Sequence, residues 1–184
     1  MANIFILWSS TEGQTRRIVQ VMEQELRKGG HRLETINADA PPRGWIVSKA
    51  DAVLVAASVH RGQYSAGLRK QLKLQSARLS KLPSLFITVC LSAARPETEQ
   101  EAEGYAAKLL AEIGWQPTRS ACLGGALRYP EYPLLKRWMM KRIAKQQGLP
   151  TDTSKVHEFT DWERVRSLAA EMAELARASE LQHA

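Results

Sequence analysis

What most constrains this chain is the join between its first two elements. Asn3-Ile-Phe-Ile-Leu-Trp8 is an unbroken apolar run, and a helical stripe of Ile18, Met22 and Leu26 begins a few residues later. Only the turn Ser9-Ser-Thr-Glu-Gly-Gln-Thr15 lies between them. An apolar run without polar alternation needs cover on both faces, the condition of a strand inside a parallel sheet. Gly29-Gly30 then stops the helix in the manner of C-terminal glycines.

The alternation continues along the chain. Arg32 to Asn37 alternates as a second, more exposed strand, and Ala52-Val-Leu-Val-Ala-Ala57 is a third, buried one. Leu68, Leu72 and Leu79 mark a helix that ends before Pro83, and Leu85 to Cys90 gives a fourth strand. Tyr105, Leu109 and Ile113 define a helix closed by Gly114; Ala121 to Ala126 reads as a shorter fifth strand. A last helix follows Thr160-Asp-Trp-Glu163, a capping-box pattern, and carries Trp162, Val165, Leu168, Ala169, Met172, Leu175 and Ala176. Strands alternating with helices build βαβ units and a parallel sheet. The expectation is one doubly wound α/β domain over 1–184 with five parallel strands. Leu127 to Glu158, edged by Pro130, Pro133 and Pro150, breaks the alternation and reads as a long functional insertion.

Charge narrows the partners. Lys and Arg number 26 against 19 Asp and Glu, a net charge of +7 that favours an anionic ligand, membrane surface or nucleic acid. No nucleic-acid reading motif accompanies it, so nucleic acid is not expected. The 2 cysteines, Cys90 and Cys122, lie in apolar runs and read as buried thiols. With no Cys-x-x-Cys pair or histidine cluster, no metal site is expected. Ile4 to Trp8 is too short for a signal sequence, and no run is long enough to span a bilayer. The expected location is cytoplasmic, with peripheral membrane contact left open.

The turn after the first strand suits a phosphate. Hydroxyls, a glycine and a helix N-terminus converge there, and the helix dipole favours negative charge. A plain hydroxyl-capped helix start is the bland alternative. The triphosphatase loop Gly-x-x-x-x-Gly-Lys and the dinucleotide fingerprint Gly-x-Gly-x-x-Gly are both absent.

Ser10-x-x-Gly13-x-Thr15 resembles the FMN phosphate loop of flavodoxins, Ser/Thr-x-Thr-Gly-x-Thr, with Glu12 where the pattern has Thr. The Glu12 side chain is therefore expected to point to solvent. Gly13-Gln-Thr-Arg16, Ala57-Ser-Val-His-Arg-Gly-Gln-Tyr64, Gly125-Ala-Leu-Arg-Tyr-Pro130 and the stretch from Thr151-Asp-Thr153 to Phe159-Thr-Asp-Trp162 are together similar to one branch. That branch is the quinone-dependent protoporphyrinogen IX oxidases of bacterial haem synthesis, and the likeness covers effectively the whole chain. It implies a flavodoxin-like sheet of order 2-1-3-4-5, with ligands at the carboxyl ends of the strands.

The resemblance also implies the site. Ser10, Thr11, Glu12, Gly13, Gln14 and Thr15 form the phosphate turn. Ser58, Val59, His60, Arg61, Gly62 and Tyr64 form the first flavin loop, with Tyr64 a candidate to stack on the flavin. His60 or Arg61 is expected at the flavin N1/O2 edge or at an acidic substrate group. Val89, Cys90, Leu91 and Ser92 form a second loop acting mainly through backbone, and Gly125 and Arg128 belong to the branch-specific segment. In the insertion, Leu135, Trp138, Met139, Arg142 and Ile143 share one helical face, with Lys136, Arg137, Lys141 and Lys145 around it. Tyr129, Lys136, Arg137, Trp138, Lys141 and Arg142 are assigned to substrate or to an anionic membrane surface. The implied activity is FMN-dependent oxidation of protoporphyrinogen IX to protoporphyrin IX, with menaquinone or ubiquinone as acceptor. A flavodoxin that relays electrons between proteins is the rival, disfavoured by the basic charge. An NAD(P)H:quinone reductase would need a nicotinamide site that the sequence does not offer. No acid or base is nominated, and a homo-oligomer is left open.

Overall fold

The computed structural model describes residues 1–47 and 49–183. Strands β1 (Asn3–Ser9), β2 (Arg32–Asn37), β3 (Ala52–Ser58), β4 (Ser84–Cys90) and β5 (Arg119–Gly124) alternate with helices α1 (Gln14–Lys28), α2 (Ala66–Leu79) and α3 (Pro96–Ile113). The strands pair in parallel in the order β2-β1-β3-β4-β5. Strand periodicity explains the continuous apolar runs. Ile4, Ile6, Leu54, Ala56, Leu85 and Ile87 face one apolar cluster, while Phe5, Leu7, Val53, Val55 and Phe86 face another. The first cluster is closed by Ile18, Val19, Met22 and Leu26 of α1 and by Val165, Leu168, Ala169 and Met172 of α5 (Trp162–His183). Helices α2 and α3 close the second.

The fifth strand differs from its sequence reading. It ends at Gly124, where a Cβ would collide with the Phe159 carbonyl oxygen and lie 3.0 Å from the Phe159 carbonyl carbon and Cβ. Ala126 instead begins β6 (Ala126–Arg128), which pairs antiparallel with β7 (Val156–Glu158). This ribbon forms the root of the insertion, and α4 (Leu134–Gln146) lies between its two strands in sequence. Leu127, Tyr129, Tyr132, Met140, Ala144 and Leu149 make a third apolar cluster, separate from the two sheet faces.

One further expectation is corrected. The start of α5 is capped by Asp161, whose carboxylate accepts from the N–H groups of Glu163 and Arg164 at 2.9 and 3.0 Å. The Thr160 hydroxyl instead donates to the Gly124 carbonyl at 2.7 Å. On α4 the packed face is Met140 and Ala144, with Leu134, Leu135 and Trp138 exposed at 81, 79 and 62%. The helix is held in that rotation by Arg137, which donates to the carbonyls of Tyr129, Pro130 and Tyr132 at 2.9, 3.3 and 3.1 Å.

Candidate functional site

A cleft opens at the carboxyl ends of β1, β3 and β4. Strand order reverses between β1 and β3, the place where doubly wound sheets bind ligands. Ser10, Thr11, Glu12, Gln14 and Thr15 line it from the first turn, and Ser58, Val59 and His60 from the second. Val89, Cys90 and Leu91, then Gly125, Ala126 and Met140, complete the wall.

The turn is built to leave donors free. Ser9 ends β1 with its hydroxyl on Asp39 at 2.7 Å and beside Ser65 at 2.9 Å. Ser10 Oγ accepts from the Gly13 N–H at 3.0 Å, and Ser58 Oγ accepts from the Thr11 N–H at 3.1 Å. Gly13 precedes α1 at φ 86°, a left-handed conformation that glycine adopts without a Cβ penalty. No side chain caps α1 and no acid lies in its first turn, so its leading N–H groups remain free for an anion. Thr15 is wholly buried and its hydroxyl has no hydrogen-bond partner among the described residues. A buried hydroxyl without a partner costs free energy that a bound oxygen would recover.

Glu12 does not point to solvent. Its carboxylate accepts from the Tyr132 hydroxyl and lies 2.7 Å from Lys136 Nζ. The departure from the phosphate-loop pattern is thus a contact with the insertion, and Tyr132 rises in pKa through burial and through Glu12. Gln14 also turns toward the insertion. Its amide donates to Thr160 at 2.8 Å and accepts from Arg17 and Arg128 at 3.2 and 3.4 Å. Arg128 additionally binds Glu131 at 2.8 Å. The side chains of Gln14 and Arg128 therefore brace the turn against the insertion root, leaving the Gln14 backbone N–H for a ligand.

The second loop is a tight hairpin. His60 and Gln63 exchange backbone bonds at 2.8 and 3.1 Å around Arg61 and Gly62, both at positive φ. That turn directs Arg61 to Met139 Sδ at 3.9 Å and Gly62 toward Tyr105, away from the cleft. Tyr64 is corrected outright: it is 7% exposed, packs on Phe86, and its hydroxyl sits 2.7 Å from Thr88. It is core and does not line the cleft. In the third loop Ser92 turns to Glu101 at 2.8 Å and leaves the wall. Burial raises both thiols, Cys90 in direction and Cys122 to about 12, so both are neutral near pH 7. Gly125 bridges the loops, donating to the Cys90 carbonyl at 3.0 Å and accepting from the Phe159 N–H at 2.9 Å.

Three residues assigned to substrate or membrane turn to partners within the chain. Tyr129 is fully buried and its hydroxyl donates to the Pro150 carbonyl at 3.0 Å. Arg137 is spent on carbonyls, and Lys136 on Glu12 and the Tyr132 ring. Trp138, Lys141 and Arg142 remain exposed. Sequence reasoning missed Asp39, Tyr132, Met140 and Thr160. Of these, only Thr160 lay in a recognised pattern, and that pattern pointed to a cap.

A family profile described as a flavodoxin domain matches residues 5–154. A protoporphyrinogen IX dehydrogenase [quinone] of Escherichia coli K12 is 38% identical over 173 residues, 92% of this chain and 94% of its own. The chain belongs to the flavodoxin family, in its protoporphyrinogen IX dehydrogenase branch. A Leishmania major protein of the same name is 29% identical over 92% of this chain and 74% of its own. Among solved structures, oxidised flavodoxin 1 of Bacillus cereus superposes with a TM-score of 0.58 at 14% identity, over 94% of this chain and 98% of that one. The rubredoxin:oxygen oxidoreductase of Desulfovibrio gigas gives 0.59 at 15% identity, over 96% of this chain and 36% of that one. Flavodoxin likeness at that identity establishes the fold, and family membership implies a flavin.

Proposed function

We propose that this chain oxidises protoporphyrinogen IX to protoporphyrin IX, with FMN held in the cleft and a menaquinone or ubiquinone receiving the electrons. The observation that carries the reading is the 38% identity that runs through both sheet and insertion to a dehydrogenase of that name. The residues fit the cofactor. The buried, partnerless Thr15 hydroxyl and the uncapped N-terminus of α1 suit a phosphate, and the apolar wall of Val59, Val89, Leu91 and Met140 suits a flat ring. Bound flavin supplies the hydride and electron chemistry, which no side chain here can perform.

The chain's own work is placement and exclusion. Ser58 and Ser10 fix the turn by accepting its N–H groups. Gly125 sets the spacing between the second and third walls through its backbone bonds. Cys90, held as a neutral thiol by burial, acts as wall. Among the described residues His60 is the one histidine that lines the cleft, a candidate donor to a substrate propionate.

The acceptor's chemistry assigns a role to α4. Quinones reside in lipid, and among the described residues no helix is long and apolar enough to cross a membrane. Leu134, Leu135 and Trp138 stand exposed beside Lys141, Arg142 and Lys145, none of which has an ion pair among the described residues. Apolar residues ringed by cations suit peripheral contact with an anionic bilayer, each cation adding about 1 kcal/mol near the surface.

The test is anaerobic turnover of protoporphyrinogen IX by the FMN-loaded protein with a menaquinone or ubiquinone analogue, read as porphyrin fluorescence. Quinone-dependent porphyrin formation is expected. A protein that holds FMN and exchanges electrons with partner proteins, yet leaves the porphyrinogen untouched, is an electron relay and refutes the reading. Co-sedimentation with anionic liposomes tests α4. Trp138→Ala with Lys141→Gln and Arg142→Gln should lower binding and leave flavin content unchanged, whereas wild-type protein indifferent to anionic lipid removes the membrane role.

A further inference from the structure

The phosphate turn carries a charge that opposes its ligand. Glu12 lines the cleft one residue before Gly13, whose φ of 86° opens α1. A phosphate monoester at neutral pH bears about −1.5 to −2 charges, and a like charge alongside disfavours the ionised, bound form.

The insertion answers that charge. Lys136 Nζ lies 2.7 Å from Glu12 Oε1 and 4.4 Å from the centre of the Tyr132 ring. The Tyr132 hydroxyl donates to the other carboxylate oxygen. Side-chain exposures of 30% for Lys136 and 20% for Glu12 set the pair partly out of water, where screening is weaker. The neighbouring cations contact other partners, with Arg16 Nη1 and Arg128 Nε left without a hydrogen-bond partner among the described residues. Arg17 binds Glu158 at 2.8 Å, Arg16 lies over Trp8 and 3.7 Å from Glu23, and Arg128 binds Glu131 and Gln14. Lys136 alone among the described residues forms an ion pair with Glu12.

We infer that Lys136 and Tyr132 are positioning residues for the phosphate of the flavin. They draw the Glu12 carboxylate toward the insertion and neutralise it, so that the turn accepts a phosphorylated flavin. The sheet provides the cradle, and the insertion sets its affinity for the anion. This rests on the flavin reading of the cleft.

The experiment titrates FMN and riboflavin, followed by flavin fluorescence, into apoprotein of the wild type and of Lys136→Met, Lys136→Arg, Glu12→Thr and the Glu12→Thr, Lys136→Met pair. Riboflavin lacks the phosphate and serves as the control ligand. Lys136→Met should weaken FMN about tenfold, about 1.4 kcal/mol, and leave riboflavin within about twofold. Lys136→Arg should keep the wild-type preference, and the paired variant should regain most FMN affinity because no carboxylate remains to be neutralised. Equal weakening of FMN and riboflavin would mean that Lys136 only packs the insertion, and would overturn the inference. So would an unchanged FMN affinity in Lys136→Met, or a pair no better than Lys136→Met alone. Wild-type protein that binds neither flavin would instead refute the cleft assignment itself.

Discussion

Replacing Leu127 by alanine asks whether the insertion is a folding unit of its own. Leu127 is fully buried on β6 in the cluster of Tyr129, Tyr132, Met140, Ala144 and Leu149, apart from both sheet-face cores. Buried Leu→Ala changes cost about 2–5 kcal/mol through lost transfer energy and the cavity left behind. This cluster is small and its helix presents Leu134, Leu135 and Trp138 to solvent, so partial collapse around the void places the cost near the lower end, about 2–3 kcal/mol. If the insertion opens locally, that loss appears as faster amide exchange confined to it, about 30- to 150-fold at 1.4 kcal/mol per decade. Hydrogen exchange should therefore accelerate across Leu134–Gln146 and β6–β7, with β1, β3 and β4 unmoved. Acceleration of the sheet in step with α4 would refute the reasoning, because it would make insertion and sheet one cooperative body.

Gly13→Val should strip FMN on gel filtration. No atom lies within 4 Å of a Cβ there, so the cost is the left-handed backbone, about 1–3 kcal/mol for a non-glycine residue; full flavin content in a folded Val variant would contradict the site. The Cys90→Ala, Cys122→Ala variant should bind FMN and turn over normally, since burial holds both thiols neutral, Cys122 at about 12; loss of quinone reduction with flavin retained would give a thiol a redox role. His31 is buried, and desolvation followed by Arg177 and the N-terminal amine lowers its imidazole below the usual 6.5. The unfolded chain then takes up a proton at this site that the folded chain resists, so the contribution is present above pH 6.5 and is lost as pH falls below it. His31→Gln should flatten the decline in melting temperature between about pH 7 and 5, and an unchanged slope would assign that decline to other groups.

The sequence by itself determined the sheet and the turn that follows its first strand. Asn3–Trp8, Ala52–Ala57 and Leu85–Cys90 are apolar on both alternating sets, which only a doubly covered parallel strand accommodates, and all three lie within strands of the structure. Gly29-Gly30 and Gly114 marked helix ends because they act on their own local backbone, and the hydroxyl-rich turn was legible because it is contiguous. Tertiary structure decided which side chains face which partner. Periodicity gave Tyr64 and Tyr129 an apolar surrounding or an open loop with equal ease; only the Thr88 hydroxyl and the Pro150 carbonyl, brought in from distant chain, made them core. The same holds for charge. Five cations around Trp138 read alike in sequence, yet Arg137 ties three carbonyls and Lys136 meets a carboxylate from the first turn, leaving Lys141, Arg142 and Lys145 outward. Local pattern fixes backbone conformation because it acts over a few residues, whereas the partner of a polar group is set by where the folded chain brings a complementary atom.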